Sequence, residues 1–194
     1  MRHICSLVIF LFLISSSYAH ATPAKYYVPP TQFNVAFQVA GENVPAATGL
    51  FQSAIGSFVY DTDTKTLSHL RLAIDAQSLM AQSAATAKSL QVLFEAKQFP
   101  EITFSATGPI EFKEDHGEVK GTLSVHGQSK SVTLDGSLSV NDTEVTGGGT
   151  QSASLSLRGS FKRADFGMAG GMDAAAPSFG DTLTLMMETQ GVRQ

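Results

Sequence analysis

Apolar residues occupy every second position through several separate segments of the chain. In Gly121–Val140, which reads GTLSVHGQSKSVTLDGSLSV, two such runs flank a short polar break. Leu123 and Val125 share one side of the first run, and Val132 and Leu134 share one side of the second. Successive side chains of a strand point to opposite faces of the sheet. We therefore predict an antiparallel hairpin whose buried face either packs on other side chains or lines a cavity.

Other segments repeat this pattern, and one does not. The repeats are Phe33–Val39, Phe51–Tyr60, Leu67–Asp75, Ile102–Ala106, Ile110–Lys113, Ala153–Phe161 and Thr182–Thr189. Ser83–Gln98 instead places Leu90, Leu93 and Phe94 at helical spacing, with Ser83 as a suitable N-cap. The sequence therefore predicts an all-β protein of about eight or more antiparallel strands with one short helical insertion, folded as a closed barrel or a sandwich.

The first 21 residues predict a secretory signal peptide. A charged start is followed by an apolar run, Ile4–Ile14, and by an A-x-A exit at Ala19–Ala21. We expect cleavage after Ala21, with Ala19 as the second choice, which leaves residues 22–194 as one mature domain in the periplasm. The apolar run is too short for a comfortable membrane span. We therefore expect no stable membrane insertion after cleavage.

Composition excludes several classes of function. The only cysteine, Cys5, lies in the predicted signal peptide, so the mature chain would have no disulfide, thiol nucleophile or cysteine-bound metal. The net charge is −4 and the basic residues are scattered, so we expect neither a nucleic-acid surface nor a strong footprint for anionic lipids.

Motifs of catalysis and metal binding are absent from the sequence. The histidines of the mature chain, His69, His116 and His126, do not have metal-ligand spacing, and no G-x-S-x-G, phosphate loop or dinucleotide fingerprint occurs. Arg163 and Asp165 could be read as an acid–base pair, but we expect them to pair or to cap a loop at a barrel end. The sequence therefore predicts no catalytic residue and no metal ligand, and an enzyme acting on a hydrophobic substrate ranks last.

Four segments in order resemble the YceI-like family, which comprises periplasmic lipocalin-like proteins associated with polyisoprenoid binding. The segments are FPEITFSAT (Phe99–Thr107), GTLSVHGQSKSVTL (Gly121–Leu134), RADFGM (Arg163–Met168) and GDTLTLMMETQGV (Gly180–Val192). Each is modest alone, but four in the right order behind a signal peptide are specific. The family's Arg-Asp-x-His-Leu segment is missing, and ATAKSLQVLF stands in its place.

The resemblance implies a lipocalin-like eight-stranded antiparallel β-barrel with an apolar interior. It also implies a non-enzymatic periplasmic protein that holds an isoprenoid chain, of polyprenyl or quinone type, for transport, storage or sequestration. No other cofactor is expected, and a homodimer is left open. The residues expected to line the interior are Phe33, Val35, Phe37, Phe51, Phe58, Phe94, Phe99, Phe104, Phe112, Leu123, Val125, Leu134 and Phe166.

Ordinary core packing is the competing interpretation for each of these residues. The matching functional alternative is an interaction or stress protein with a fully packed barrel that binds a partner through its surface. The glycine-rich segment Gly167–Gly180 would then be a partner contact, whereas in a lipid-binding barrel it would be a lid or only a long loop.

Overall fold

The computed structural model describes residues 22–41, 46–143, 150–168 and 179–194. They form twelve strands, one α-helix and three short 3-10 turns. The strands are β1 (Ala24–Val28), β2 (Phe33–Gly41), β3 (Ala47–Phe51), β4 (Ala54–Asp61), β5 (Thr66–Asp75), β6 (Leu79–Ala81), β7 (Glu101–Ala106), β8 (Ile110–Glu111), β9 (His116–Val125), β10 (Gln128–Thr143), β11 (Thr150–Lys162) and β12 (Phe179–Arg193), and the helix α1 is Ala84–Leu93. The predicted signal peptide and most of the glycine-rich segment lie outside the described residues.

Eight of these strands close into a ring. The antiparallel order is β1-β4-β5-β7-β9-β10-β11-β12, and β12 pairs back onto β1. The closing contact is short: Tyr26 lies opposite Arg193 and Tyr27 opposite Val192, and the Gln194 amide donates to the Lys25 carbonyl over 2.9 Å. The fold class predicted from the sequence, an all-β antiparallel eight-stranded barrel with one short helix, is confirmed.

Three further strands extend this ring at one end. β12 pairs with β2 as well as β1, and β2 continues to β3 and β6. The chain makes this possible by bending between β1 and β2 at Pro30–Gln32, where two prolines favour a turn. It bends again at Gln52 and Ser53, whose amides donate to the Ser78 hydroxyl over 3.1 Å. The alternating segment Phe51–Tyr60 is therefore divided between β3 and β4.

A bulge in β5 explains a residue that strict alternation leaves on the wrong face. Leu67 and Leu70 are three positions apart, yet both are completely buried. The register between β4 and β5 shifts between Ser57 and Val59, opposite His69, which has a φ of 52°. The extra residue of a bulge changes the phase of the strand. Leu67 therefore joins Leu70 inside the barrel.

Helix α1 begins as predicted and ends earlier. The Ser83 hydroxyl accepts the Thr86 amide over 3.0 Å, which is the predicted N-cap. After Leu93, the amides of Glu95 and Ala96 turn back to the Val92 and Gln91 carbonyls, and Glu95 has a φ of 44°. This is a Schellman ending, whose left-handed position is usually glycine. The helical spacing up to Gln98 is therefore interrupted by the turn at Glu95.

Close packing of β7 against β9 depends on the glycine at position 121, which has no side chain. A Cβ atom at Gly121 would lie 2.6 Å from both the Phe104 Cζ and the Ser105 carbonyl oxygen. The carbonyl belongs to the sheet and cannot move without breaking the pairing of Ser105 with Thr122. Any larger residue at position 121 would therefore clash with Phe104 and with the Ser105 carbonyl.

We predict that Gly121→Ala lowers the free energy of unfolding by about 1–3 kcal/mol, the usual cost of overpacking. Gly108→Ala is the matched control, because no atom lies within 4 Å of its added methyl group. Urea denaturation of both variants measures the difference. Equal stability of the two variants would contradict the packing described here.

Candidate functional site

The barrel interior is the candidate site, because it gathers almost all of the predicted lining residues. Val35, Phe37, Phe51, Phe58, Phe94, Phe104, Phe112, Leu123, Val125, Leu134 and Phe166 are buried in one apolar core. Burial places these side chains inside and does not distinguish contact with a ligand from ordinary packing.

The other two predicted residues are half-buried. Phe33 packs against the core, and its ring occupies space beside Gly56, where a Cβ atom would lie 3.0 Å from the Phe33 Cζ. Phe99 lies against the imidazole of His126, with ring centroids 4.4 Å apart. Phe99 therefore lies at the turn that contains His126 and Gly127.

Three aromatic rings fill the interior beside α1. Phe94, just after the helix, lies 4.7 Å from Phe37 and 5.9 Å from Phe51 between ring centroids, both in edge-on contacts. Phe37 and Phe51 are themselves 5.4 Å apart. Such contacts contribute beyond the apolar area that they bury. They hold α1 against the end of the barrel.

Helix α1 covers a seam in the sheet. β6 is the last strand of its branch, and no pairing of β6 with β7 occurs in the part of the chain that the structure describes. α1 connects these two strands and turns Leu90 and Leu93 inward. The Gln91 side chain donates to the Leu79 carbonyl over 3.3 Å and so satisfies part of the free edge of β6. Packing of α1 side chains therefore takes the place of backbone pairing between β6 and β7.

A contact between Glu95 and His126 links α1 to two turns. Glu95 Oε1 lies 3.2 Å from His126 Nε2, although the angle is not that of a hydrogen bond. His126 Nδ1 lies 3.2 Å from the Phe166 carbonyl oxygen, which can only accept, so Nδ1 donates. His126 and Gly127 form the two-residue turn between β9 and β10, and both have positive φ. The helix, this turn and the turn at Arg163–Phe166 therefore meet at one end, which we call the helix end.

The prediction that Arg163 pairs with Asp165 is wrong. Arg163 is buried within the 3-10 turn, whereas Asp165 is exposed. The guanidinium donates from Nη1 to the Met168 carbonyl over 3.3 Å and from Nη2 to the Phe179 carbonyl over 3.0 Å. The extended backbone ends at Lys162, and the two residues lie in the 3-10 turn that follows. Arg163 does hold the two sides of a loop together, as the capping alternative expected.

A small polar network surrounds Tyr26 at the opposite end of the barrel. Its hydroxyl donates to the Gln151 side-chain oxygen over 2.7 Å, which also accepts from Arg193 over 3.0 Å. Burial raises the pKa of Tyr26, an effect that Arg193 opposes and Asp142 reinforces. Burial likewise raises the pKa of Tyr60, with smaller contributions from nearby acidic groups and Tyr26.

The described residues also limit other kinds of site. They contain no cluster of three or more His, Cys, Asp or Glu side chains able to hold a metal ion. None of the helices they form is long and apolar enough to span a bilayer. The clefts that they line have volumes of about 270 to 750 Å³ and open on the outer surface.

Sequence reasoning missed several interior residues. The predicted lining set was drawn mainly from phenylalanines, so it left out buried residues that alternation alone indicates. These are Tyr26, Leu70, Leu72, Ile74, Val119, Leu155, Leu157, Leu183, Leu185 and Met187. It also left out Arg163, although alternation along β11 points to this position as well.

A closed antiparallel barrel with an apolar interior and a helix at one end defines a lipocalin-like β-barrel protein. The model of the YceI-like domain matches residues 26–190 of this chain. The protein therefore belongs to the YceI-like family.

Known proteins agree with this assignment. Protein YceI of Salmonella arizonae is 24% identical over 148 residues, which cover 75% of this chain and 74% of the relative. The crystal structure of Burkholderia cenocepacia BcnA shares the fold with a TM-score of 0.66 at 21% identity, covering 84% of this chain and 98% of that one. A polyisoprenoid binding domain from Saccharophagus degradans, implicated in plant cell wall breakdown, superposes with a TM-score of 0.59 at 14% identity over 89% of this chain and 100% of that one.

The raised pKa values of Tyr26 and Tyr60 predict a loss of stability in alkali. Each folded pKa lies above the unfolded value of 10.0, so their contribution is complete below pH 10 and is lost as pH rises through the folded values. Urea denaturation at a series of pH values should show this loss. Tyr60→Phe should make the decline shallower, whereas Tyr27→Phe, at an exposed position on β1, should leave it unchanged. Identical curves for all three proteins would contradict the prediction.

Proposed function

We propose that the protein is a non-enzymatic periplasmic lipid-binding protein that holds an isoprenoid chain, of polyprenyl or quinone type, in its barrel for transport, storage or sequestration. The observation that carries this proposal is the apolar interior, which a ring of eight strands surrounds. Only two buried residues of the described chain, Arg163 and Thr189, are polar or charged.

The energetics of burial favour a long unbranched or prenyl chain. Each CH2-sized group removed from water contributes roughly 0.8 kcal/mol before the cost of ordering the chain. An eight-stranded barrel is just wide enough for its side chains or for one slender ligand. The clefts described above open on the outer surface and not into the core, so we infer that a chain entering the core displaces some of its side chains.

Helix α1 is the element best placed to move. It is held by the rings of Phe37 and Phe51, by the Gln91–Leu79 bond and by the Glu95–His126 contact, whereas the neighbouring strands are held by backbone ladders. Elements with few backbone bonds to their neighbours open at lower free energy than the central strands. We therefore infer that a chain enters beside Phe94.

Family membership and the S. degradans neighbour also support this proposal. That neighbour is described as a polyisoprenoid binding domain, and it shares the barrel fold with this chain. The proposed location in the periplasm rests on the signal-peptide pattern of residues 1–21, with cleavage after Ala21 or Ala19.

One observation favours the alternative of a packed barrel that binds a partner through its surface. Leu50 and Met80 lie opposite each other on β3 and β6, and both are largely exposed. An exposed apolar pair is what an interaction protein would present. The two proposals differ in whether the interior exchanges its side chains for a ligand.

We expect protein purified from its own host to carry an isoprenoid lipid. Native mass spectrometry should show a mass increment, and solvent extraction should release a prenyl lipid of the same mass. After extraction, the protein should take up an added long-chain prenol. A folded protein that arrives without lipid and takes up no prenol would contradict the proposed function and favour the packed barrel.

A single fluorophore can locate the bound chain, because the protein contains no tryptophan. Prenol should change the emission of Phe94→Trp, whose ring lies in the interior. It should leave Val92→Trp unchanged, because Val92 is exposed on the outer side of α1. Equal responses from the two variants would place the lipid on the surface.

A further inference from the structure

His126 lies between the end of α1 and the turn that follows β11. Its side chain is 12% exposed, and the ring of Phe99 packs against it. One ring nitrogen, Nδ1, lies 3.2 Å from the Phe166 carbonyl oxygen. The other, Nε2, is buried without a hydrogen bond and lies 3.2 Å from Glu95 Oε1. The two nitrogens of the imidazole therefore face two different acceptors.

The protonation state of His126 decides whether its contact with Glu95 is favourable. A neutral imidazole carries one proton, and Nδ1 needs that proton in order to donate to the Phe166 carbonyl. Nε2 then presents a lone pair to the Glu95 carboxylate, and the two groups repel each other. An imidazolium has a proton on both nitrogens, so the same contact becomes an ion pair. The observed distance therefore suits the protonated form.

The chain from the end of α1 into β7 carries three charged residues, and one of them faces His126. Glu95 makes the contact described above. The helix ending holds it there, with a φ of 44° and an amide that donates to the Val92 carbonyl over 3.0 Å. Lys97 and Glu101 are exposed. Glu95 is therefore the carboxylate of this segment that responds to the charge of His126.

The turn after β11 and the loop that follows it carry three more charged residues. Arg163 directs its guanidinium to two carbonyl groups, and as a cation it opposes a proton on His126. Asp165, in the same turn, is exposed. Asp173 lies outside the described residues, so the experiment includes it as a variant. The neighbours of His126 in the turn between β9 and β10 are uncharged.

We propose that His126 and Glu95 form a pH-dependent latch, which holds the end of α1 against the barrel while His126 is protonated and releases it as the pH rises. Histidine changes its charge between about pH 5 and pH 8. Glu95 directly follows Phe94, where a chain is proposed to enter, so the latch would regulate uptake. This consequence rests on the proposed function, whereas the release of α1 does not.

Hydrogen exchange of the α1 amides, corrected for the intrinsic effect of pH on exchange, measures the latch at about pH 5.5 and about pH 8. Because Glu95 is half exposed, the contact should contribute no more than a surface ion pair, and α1 should open about twofold to fivefold more often at the higher pH. His126→Asn should remove this difference, since asparagine tolerates the left-handed backbone of this position. His69→Asn is the matched control, because His69 is exposed on β5 with the same φ of 52°, and it should behave as the wild type.

Glu95→Gln gives the sharpest test and keeps the experiment usable if His126→Asn does not fold. A side-chain amide can donate to the neutral Nε2 and accept from the protonated one, so this variant should remove the pH dependence. Asp173→Asn should respond to pH as the wild type does. A wild-type response in Glu95→Gln would refute the latch, and so would a loss of the response in Asp173→Asn.

The effect on function is the rate at which lipid-free protein takes up a long-chain prenol at the same two pH values. The wild type should take it up faster at the higher pH, by about the factor measured for the opening of α1, whereas Glu95→Gln should show one rate. If α1 responds to pH as expected and the protein takes up no prenol, the proposed function fails and the latch stands. Uptake of prenol without a pH response of α1 would overturn the latch and leave the proposed function intact.

Discussion

The structure depends on the closure of the sheet by β1, which pairs with β4 on one side and β12 on the other. An open sheet has two exposed faces and two free edges, whereas a closed one has an inside and an outside. Because the sheet is closed, the inward residues of all its strands share one core, and the period-two pattern of each strand places its apolar residues there. Since only two residue pairs join β1 to β12, the hydrogen bonds of Tyr26 and Arg193 to Gln151 reinforce a short seam with side chains.

The short pairing of β1 with β12 also explains why a helix is needed to cover one part of the barrel wall. β12 is long enough to pair with β1 near its end and with β2 over the rest, so the branch β2-β3-β6 extends the wall at the helix end without meeting β7. Side chains of α1 cover this gap. Backbone ladders hold the wall elsewhere, so the barrel combines a rigid frame with one region where packing alone separates the interior from water.

Alternation made the strands and most of the interior predictable, because burial on one face is a local property of each strand. What it could not predict depends on distant pairing. Leu67 is inside only because β4 sets a bulge at His69, and the strand break at Gln52 depends on the hydroxyl of Ser78. Arg163 was in phase with the inward residues of β11, but its type argued against burial, and only the structure shows that it is buried with its guanidinium on the Met168 and Phe179 carbonyls.

Departures from local rules occur at the helix end and elsewhere in the barrel. At the helix end, Glu95 occupies a left-handed position that favours glycine, His126 is one of two adjacent positive-φ residues, and Arg163 is a buried cation. Other turns and strands also contain non-glycine residues with positive φ, namely Lys65, His69, Glu114 and Asp115. Such departures cost free energy, of order 1–3 kcal/mol each for backbone strain, and persist where function requires them. Glu95 adjoins Phe94, the proposed point of entry, and its left-handed position lies where α1 meets the turn at His126. This one departure therefore fits an interior that receives a ligand better than one that is merely filled.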